Sequence, residues 1–201
     1  MQFLSRSMAL ALPVVVPLLV SSGAFAQEKS APPPSGSVPM IEGIRPLDAG
    51  VAAPDFTIRD TQGAPVHFAE DRAKKPTLLV FWSIFCEPCR LEMPIIQKFY
   101  EKHRDAGLSV LAIALDGEPL KNSIVGFVKQ EGFTFRILID ELDEKEMFKV
   151  ADPYGVGGTP TIYLVDRAGK VVFAKVGRFK EEDLEKAIQS VLKTGSSNTS
   201  K

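Results

Sequence analysis

Only two of the 201 residues are cysteine, two are histidine and one is tryptophan. Two cysteines are too few for a disulfide-stapled scaffold, so stability has to come from an apolar core. Neither sign of charge is in surplus, since 24 Lys and Arg face 25 Asp and Glu for a formal net charge of −1. That balance excludes the basic footprint of a nucleic-acid binder, and there is no acidic run either. Metal ligands are scarce as well. A structural zinc site takes about four, and His67 and His103 lack metal spacing relative to each other or to the cysteines. Both histidines read as surface positions. The N-terminal apolar run, Met8–Val20, is too short to span a bilayer. It has 13 residues, interrupted by Pro13 and Pro17, where a span takes ~20.

What is present at that end has the order of a secretory signal peptide: Arg6, the apolar run, then Ala24 and Ala26 in a small-x-small arrangement. Residues 1–26 are therefore expected to be an export signal cut after Ala26, touching the membrane only during export. The remaining chain would then work in an oxidising, periplasmic or otherwise extracytoplasmic space. No Cys follows the run, so a lipid-anchored leader is excluded. Removing Arg6 leaves 23 positive and 25 negative residues, a net charge of −2. Residues 27–47 are rich in Pro and Ser without periodicity, which predicts a flexible linker. Residues 194–201 predict a disordered polar tail, leaving 48–193 as one folded domain.

Within that domain, strand and helix patterns alternate. The stretches "DFTIRD" and "APVHF" flank Gln62–Gly63 with apolar residues at period two, which predicts a hairpin. The runs "TLLVFW" (Thr77–Trp82) and "LSVLAIAL" (Leu108–Leu115) are continuously apolar, as strands buried on both faces are. Helices are predicted from just after Cys86 to about Asp105, over Leu120–Glu131, over Asp143–Ala151 and over Lys180–Leu192. A strand is predicted at Phe135–Asp140, and a second hairpin around Arg167–Gly169. Strands alternating with helices and closing on a hairpin indicate an α/β domain with a mixed central sheet.

Both cysteines lie in "VFWSIFCEPCRLEMP" (Val80–Pro94), three residues apart, where a buried strand hands over to a helix. The pair could be a structural clasp, half of a metal site or a redox switch. A three-residue spacing closes too small a loop to constrain the unfolded chain much, and the metal reading lacks ligands, so redox chemistry is favoured. At a helix start Cys86 meets free N–H groups and the positive end of the dipole, which stabilise the reactive thiolate. Pro88 fits the first turn, where its missing N–H costs nothing. Cys89, one turn along, is then the more buried resolving thiol. Glu87 opposes the Cys86 thiolate slightly through its charge. Glu92 shares a stripe with Ile95, Ile96 and Phe99 that should face the core. Buried there, its carboxyl could exchange a proton with Cys89. Pro94 is expected to bend the helix.

These residues carry a resemblance. Trp82 followed by Cys86-Glu87-Pro88-Cys89 resembles the thioredoxin superfamily. The stretch Ala53–Phe68, Glu92 with Pro94, and "YGVGGTPTIYLVDRAGKVV" (Tyr154–Val172) are similar to its exported TlpA/ResA-like thiol-disulfide oxidoreductases. The likeness covers roughly Ala53 to Leu192. It implies a thioredoxin-like fold, a mixed central β-sheet flanked by helices with an N-terminal β-hairpin extension. It implies a cis peptide at Thr159–Pro160, placing backbone for an extended substrate segment to pair with. It also implies a substrate-binding surface at Trp82, Phe85, Glu87, Pro88, Thr159 and Pro160. Two departures stand out: Val80 occupies the place of the buried Asp of cytosolic thioredoxins, and Phe85 stands where many relatives have Trp.

The resemblance implies a disulfide-containing protein substrate, such as apocytochrome c cysteines in cytochrome c maturation, and a transmembrane thiol electron carrier as donor. A monomer is expected. Nothing in the sequence indicates a bound organic cofactor or a metal. Three other readings stay open. One is a disulfide oxidant or isomerase of the same fold, although Glu-Pro between the cysteines, lacking a cation, favours the reductant. Another is a thiol peroxidase, because Ser83 precedes Cys86 by three. The last is a binding module that merely carries a disulfide.

Overall fold

The computed structural model describes residues 44–196; the expected export signal and most of the expected linker lie outside them. Five strands form the central sheet: β3 (Thr77–Trp82), β4 (Ser109–Ala114), β5 (Arg136–Ile139), β6 (Thr161–Val165) and β7 (Val171–Val176), in the order β5-β4-β3-β6-β7. β3, β4 and β5 are parallel, β6 runs antiparallel to β3, and β7 runs antiparallel to β6. A separate antiparallel pair, β1 (Thr57–Arg59) and β2 (Pro65–His67), forms the expected N-terminal hairpin.

Alternation along β3 explains why every residue of that strand is apolar or buried. Leu78, Val80 and Trp82 face one core, with α2 (Glu87–His103), α3 (Lys121–Glu131) and α4 (Glu181–Ser196) packed over them. Leu79 and Phe81 face a second core, covered by the hairpin, α1 (Phe68–Lys74) and the 150–156 segment. Residues Phe56, Phe68, Phe81, Tyr154 and Tyr163 interlock there through stacked, edge and tilted ring contacts. The hairpin is therefore the lid of a core and not an appendage. Asp60, 4% exposed, ties it to β5 by accepting from Arg136 Nε and Nη2 at 2.9 and 2.7 Å.

Several expectations need correction. No helix forms over 143–151. Asp143 Oδ1 instead accepts the N–H groups of Lys145 and Met147, and Glu146 takes φ 60°, a local turn that competes with helix. The buried Asp140 carboxylate then accepts from Val150 and Ala151 and fixes the following turn. Helix α1 was not expected, since seven residues are too few to show a period. His103 is not a surface residue. It is 7% exposed, and its Nε2 lies 3.0 Å from Glu185 Oε2, which joins α2 to α4. Leu47, expected in the linker, instead packs on the second core, and its N–H donates to Tyr163 Oη at 3.2 Å. At the other end, α4 continues through the residues assigned to the tail as far as Ser196.

Candidate active site

The site forms at the carboxyl ends of β3 and β4, where parallel strands leave a crevice. After Trp82 the chain turns sharply, and Asp116, just beyond β4, shapes that turn. Ser83 Oγ donates to Asp116 Oδ1 at 2.6 Å, and the Ile84 N–H donates to Oδ2 at 3.1 Å. The Phe85 N–H donates to Ser83 Oγ at 3.1 Å, and the Cys86 N–H to the Ser83 carbonyl at 3.2 Å. Ser83 is thus committed to the turn at both its donor and acceptor positions.

Cys86 is the N-cap of α2, and its Sγ accepts the Cys89 N–H at 3.2 Å. A disulfide joins Cys86 to Cys89, with Cα atoms 5.2 Å apart. The two ends differ in access, as expected: Cys86 is half-buried and Cys89 is 0% exposed. Pro88 lies in the first turn, beside exposed Glu87. Phe85, immediately before Cys86, is 76% exposed. Trp82 does not belong to that surface. It is fully buried and tilted against the Phe127 ring at 5.7 Å, so it can support the site but cannot touch a protein substrate.

Glu92 lies one turn below Cys89 and is 3% exposed. With Cys89 it lines a narrow apolar void too small to hold a water, whose other walls include Val80, Trp82, Pro160 and Phe179. Its Oε1 accepts from Arg178 Nε at 3.2 Å, whereas its Oε2 is buried without a partner. Burial pushes the Glu92 carboxyl above the usual range, against the opposing hydrogen bond and charge of Arg178. Pro160 reaches the same void from the start of β6, and the Thr159–Pro160 bond is cis, as the resemblance implied. Thr159 is half-buried, and among the described residues neither its N–H nor its carbonyl has a hydrogen-bond partner. Among the described residues no three His, Cys, Asp or Glu converge as metal ligands.

The structure therefore brings Cys86, Cys89, Glu92 and Pro160 together, places Phe85, Glu87 and Pro88 at the rim, and withdraws Trp82 into the core. Sequence reading missed Asp116 and Arg178. The position of Asp116 just past the carboxyl end of a parallel strand was a usable signal; Arg178, an arginine after the last strand, carried none.

Comparison with known proteins agrees with this geometry. The Redoxin family model matches residues 48–191. The chain is 36% identical over 142 residues to thiol-disulfide oxidoreductase ResA of Geobacillus thermodenitrificans, covering 71% of this chain and 77% of that one. It is 33% identical over 145 residues to ResA of Bacillus anthracis, covering 72% and 79%. The thioredoxin domain of a thiol-disulfide oxidoreductase from Bacteroides vulgatus superposes with a TM-score of 0.61 at 25% identity, over 73% of this chain and 99% of that domain. With its five-stranded mixed sheet, its two-cysteine helix start and these likenesses, the chain belongs to the Redoxin family and, within it, to the ResA-type thiol-disulfide oxidoreductases.

Proposed function

We propose that this protein is an exported reductant of protein disulfides, acting through the Cys86–Cys89 pair. The observation that carries the reading is the unequal access of the two sulfurs, one half-exposed at a helix N-terminus and the other sealed beside a buried carboxylate. In the reduced protein, the Cys86 thiolate attacks one sulfur of a substrate disulfide, and the other substrate sulfur leaves as a thiolate. Cys89 then attacks Cys86 in the mixed disulfide, its proton passing to Glu92, and the second substrate thiolate leaves. Two electrons have moved to the substrate, and the Cys86–Cys89 disulfide is restored.

Phe85, Glu87 and Pro88 are the surface an extended substrate segment meets, and the unpaired backbone of Thr159 is where it adds as a strand. Apocytochrome c cysteines before haem attachment are a fitting substrate, and a transmembrane thiol carrier a fitting electron donor. Export by residues 1–26 places the pair where such disulfides form.

The equilibrium reduction potential at pH 7 tests the direction. A value near or below about −250 mV supports a reductant, and one above about −180 mV makes the protein a donor of disulfides instead. Cys89→Ser tests the order of attack, since it should accumulate a mixed disulfide through Cys86.

A further inference from the structure

Glu92 sits among uncharged walls. Val80, Trp82 and Ile162 come from the sheet, Met93 and Ile96 from its own helix, and Pro160 and Phe179 from neighbouring loops. The charged groups that reach it are two, Arg178 on the loop before α4 and Glu181 at the start of α4. Burial raises the carboxyl first and most; the Arg178 hydrogen bond and charge lower it, Glu181 raises it again, and the Phe179 backbone N–H, aimed at the carboxyl, lowers it by the least. The ion pair is unequal, because the Arg178 side chain is 68% exposed and the Glu92 side chain 4%. A cation anchored from solvent screens the buried charge only in part. The carboxylate is kept ionisable, yet more basic than an ordinary one, which suits a proton acceptor.

The two carboxylate oxygens also have separate environments. Oε1 faces Arg178, and Oε2 is buried with no partner, in a side chain that shares the void with Cys89. A buried carboxylate oxygen without a donor is costly to a fold, and a transient proton from the neighbouring thiol would neutralise its charge.

Building on the reductase reading above, we propose that Arg178 is a positioning residue for the resolving step, holding Glu92 ionised by Oε1 so that Oε2 can take the Cys89 proton. As the Cys89 S–H bond breaks, that proton goes to Oε2, the Cys89 sulfur bonds to Cys86 Sγ, and the substrate sulfur departs with the electrons of the broken S–S bond. Glu92 returns its proton to solvent when the substrate has left.

The experiment pairs two readouts on the full chain with Arg178→Gln and Arg178→Lys. The first is the pH titration of the Glu92 carboxyl in the oxidised protein by carbon-detected NMR. The second is single-turnover reduction of a symmetrical aromatic disulfide, in which release of the second thiol reports the resolving step. With Arg178→Gln the Glu92 midpoint should move to higher pH. Second-thiol release should slow at least about threefold near pH 6, with the deficit closing toward pH 9 as Glu92 ionises unaided. Arg178→Lys should fall between, and Arg178→Gln should add nothing in a Glu92→Gln background. An unmoved Glu92 midpoint, or a rate loss equal at every pH, overturns the role of Arg178 while leaving the reductase reading intact. Failure of the wild-type protein to release a second thiol overturns both.

Discussion

Asp116→Asn isolates the group that holds the cysteine turn. The carboxylate accepts from Ser83 Oγ at 2.6 Å and from the Ile84 N–H at 3.1 Å, one donor on each oxygen. An amide keeps one acceptor and turns an NH2 toward the other donor. The loss is one charge-assisted hydrogen bond, with a half-buried donor left facing a donor, worth about 1.5–3 kcal/mol. In a domain of this size that corresponds to a fall of about 3–10 °C in Tm. Urea unfolding of the oxidised protein at pH 7 measures the stability. Because the same turn sets Cys86 as N-cap, alkylation of Cys86 in the reduced protein should also slow at neutral pH. Ser83→Ala should cost about 1 kcal/mol, and combined with Asp116→Ala should cost less than the sum. If Asp116→Asn unfolds at the wild-type urea concentration and alkylates at the wild-type rate, the carboxylate does not hold this turn.

Three further outcomes are expected. Glu185 is desolvated by its burial, but hydrogen bonds from Lys102, His103 and Gln189 outweigh that and hold it down at about 2. A depressed carboxyl stabilises the fold above its ordinary value of 4.5 and loses that contribution as pH falls from there through about 2. With Lys102 60% exposed, Glu185→Gln should cost about 1–2 kcal/mol at pH 7, and chemical denaturation at stepped pH should show the gap closing across that acid range. Gly155→Ala should cost about 2 kcal/mol or more, since Gly155 has φ +64° and an added Cβ would collide with the Arg45 carbonyl oxygen; wild-type thermal stability in that variant refutes the close approach. Phe85→Ala should leave stability within about 0.5 kcal/mol, as its ring is 76% exposed, while slowing reduction of a protein disulfide more than of a small one.

The legible part of the site was its local part. Cys86 could be placed at the N-cap because an apolar strand, a helix-tolerant Pro88 and an amphipathic stripe follow one another within a few residues. Glu92 could be turned inward because the stripe it shares with Ile96 and Phe99 repeats at the helix period. The strand pattern reads Trp82 as buried, and only the resemblance puts it on the substrate surface; its packing against Phe127 bears out the strand. The 143–151 stretch was misread because helix-compatible spacing says nothing of a side chain that prefers its own backbone, as Asp143 does.

The sequence alone was enough for the strands and the three long helices, the α/β class, the redox pair and which of its sulfurs is exposed, because each depends on residues within one strand or one helical turn of each other. Tertiary structure decided the partners. Asp116 reaches Ser83 across 33 residues, Arg136 reaches Asp60 across 76, Glu185 reaches His103 across 82, and Arg178 reaches Glu92 across 86. No local period records such pairings. They exist only where the sheet order sets β4 beside β3, the hairpin against β5, and the loop after β7 over the first turns of α2.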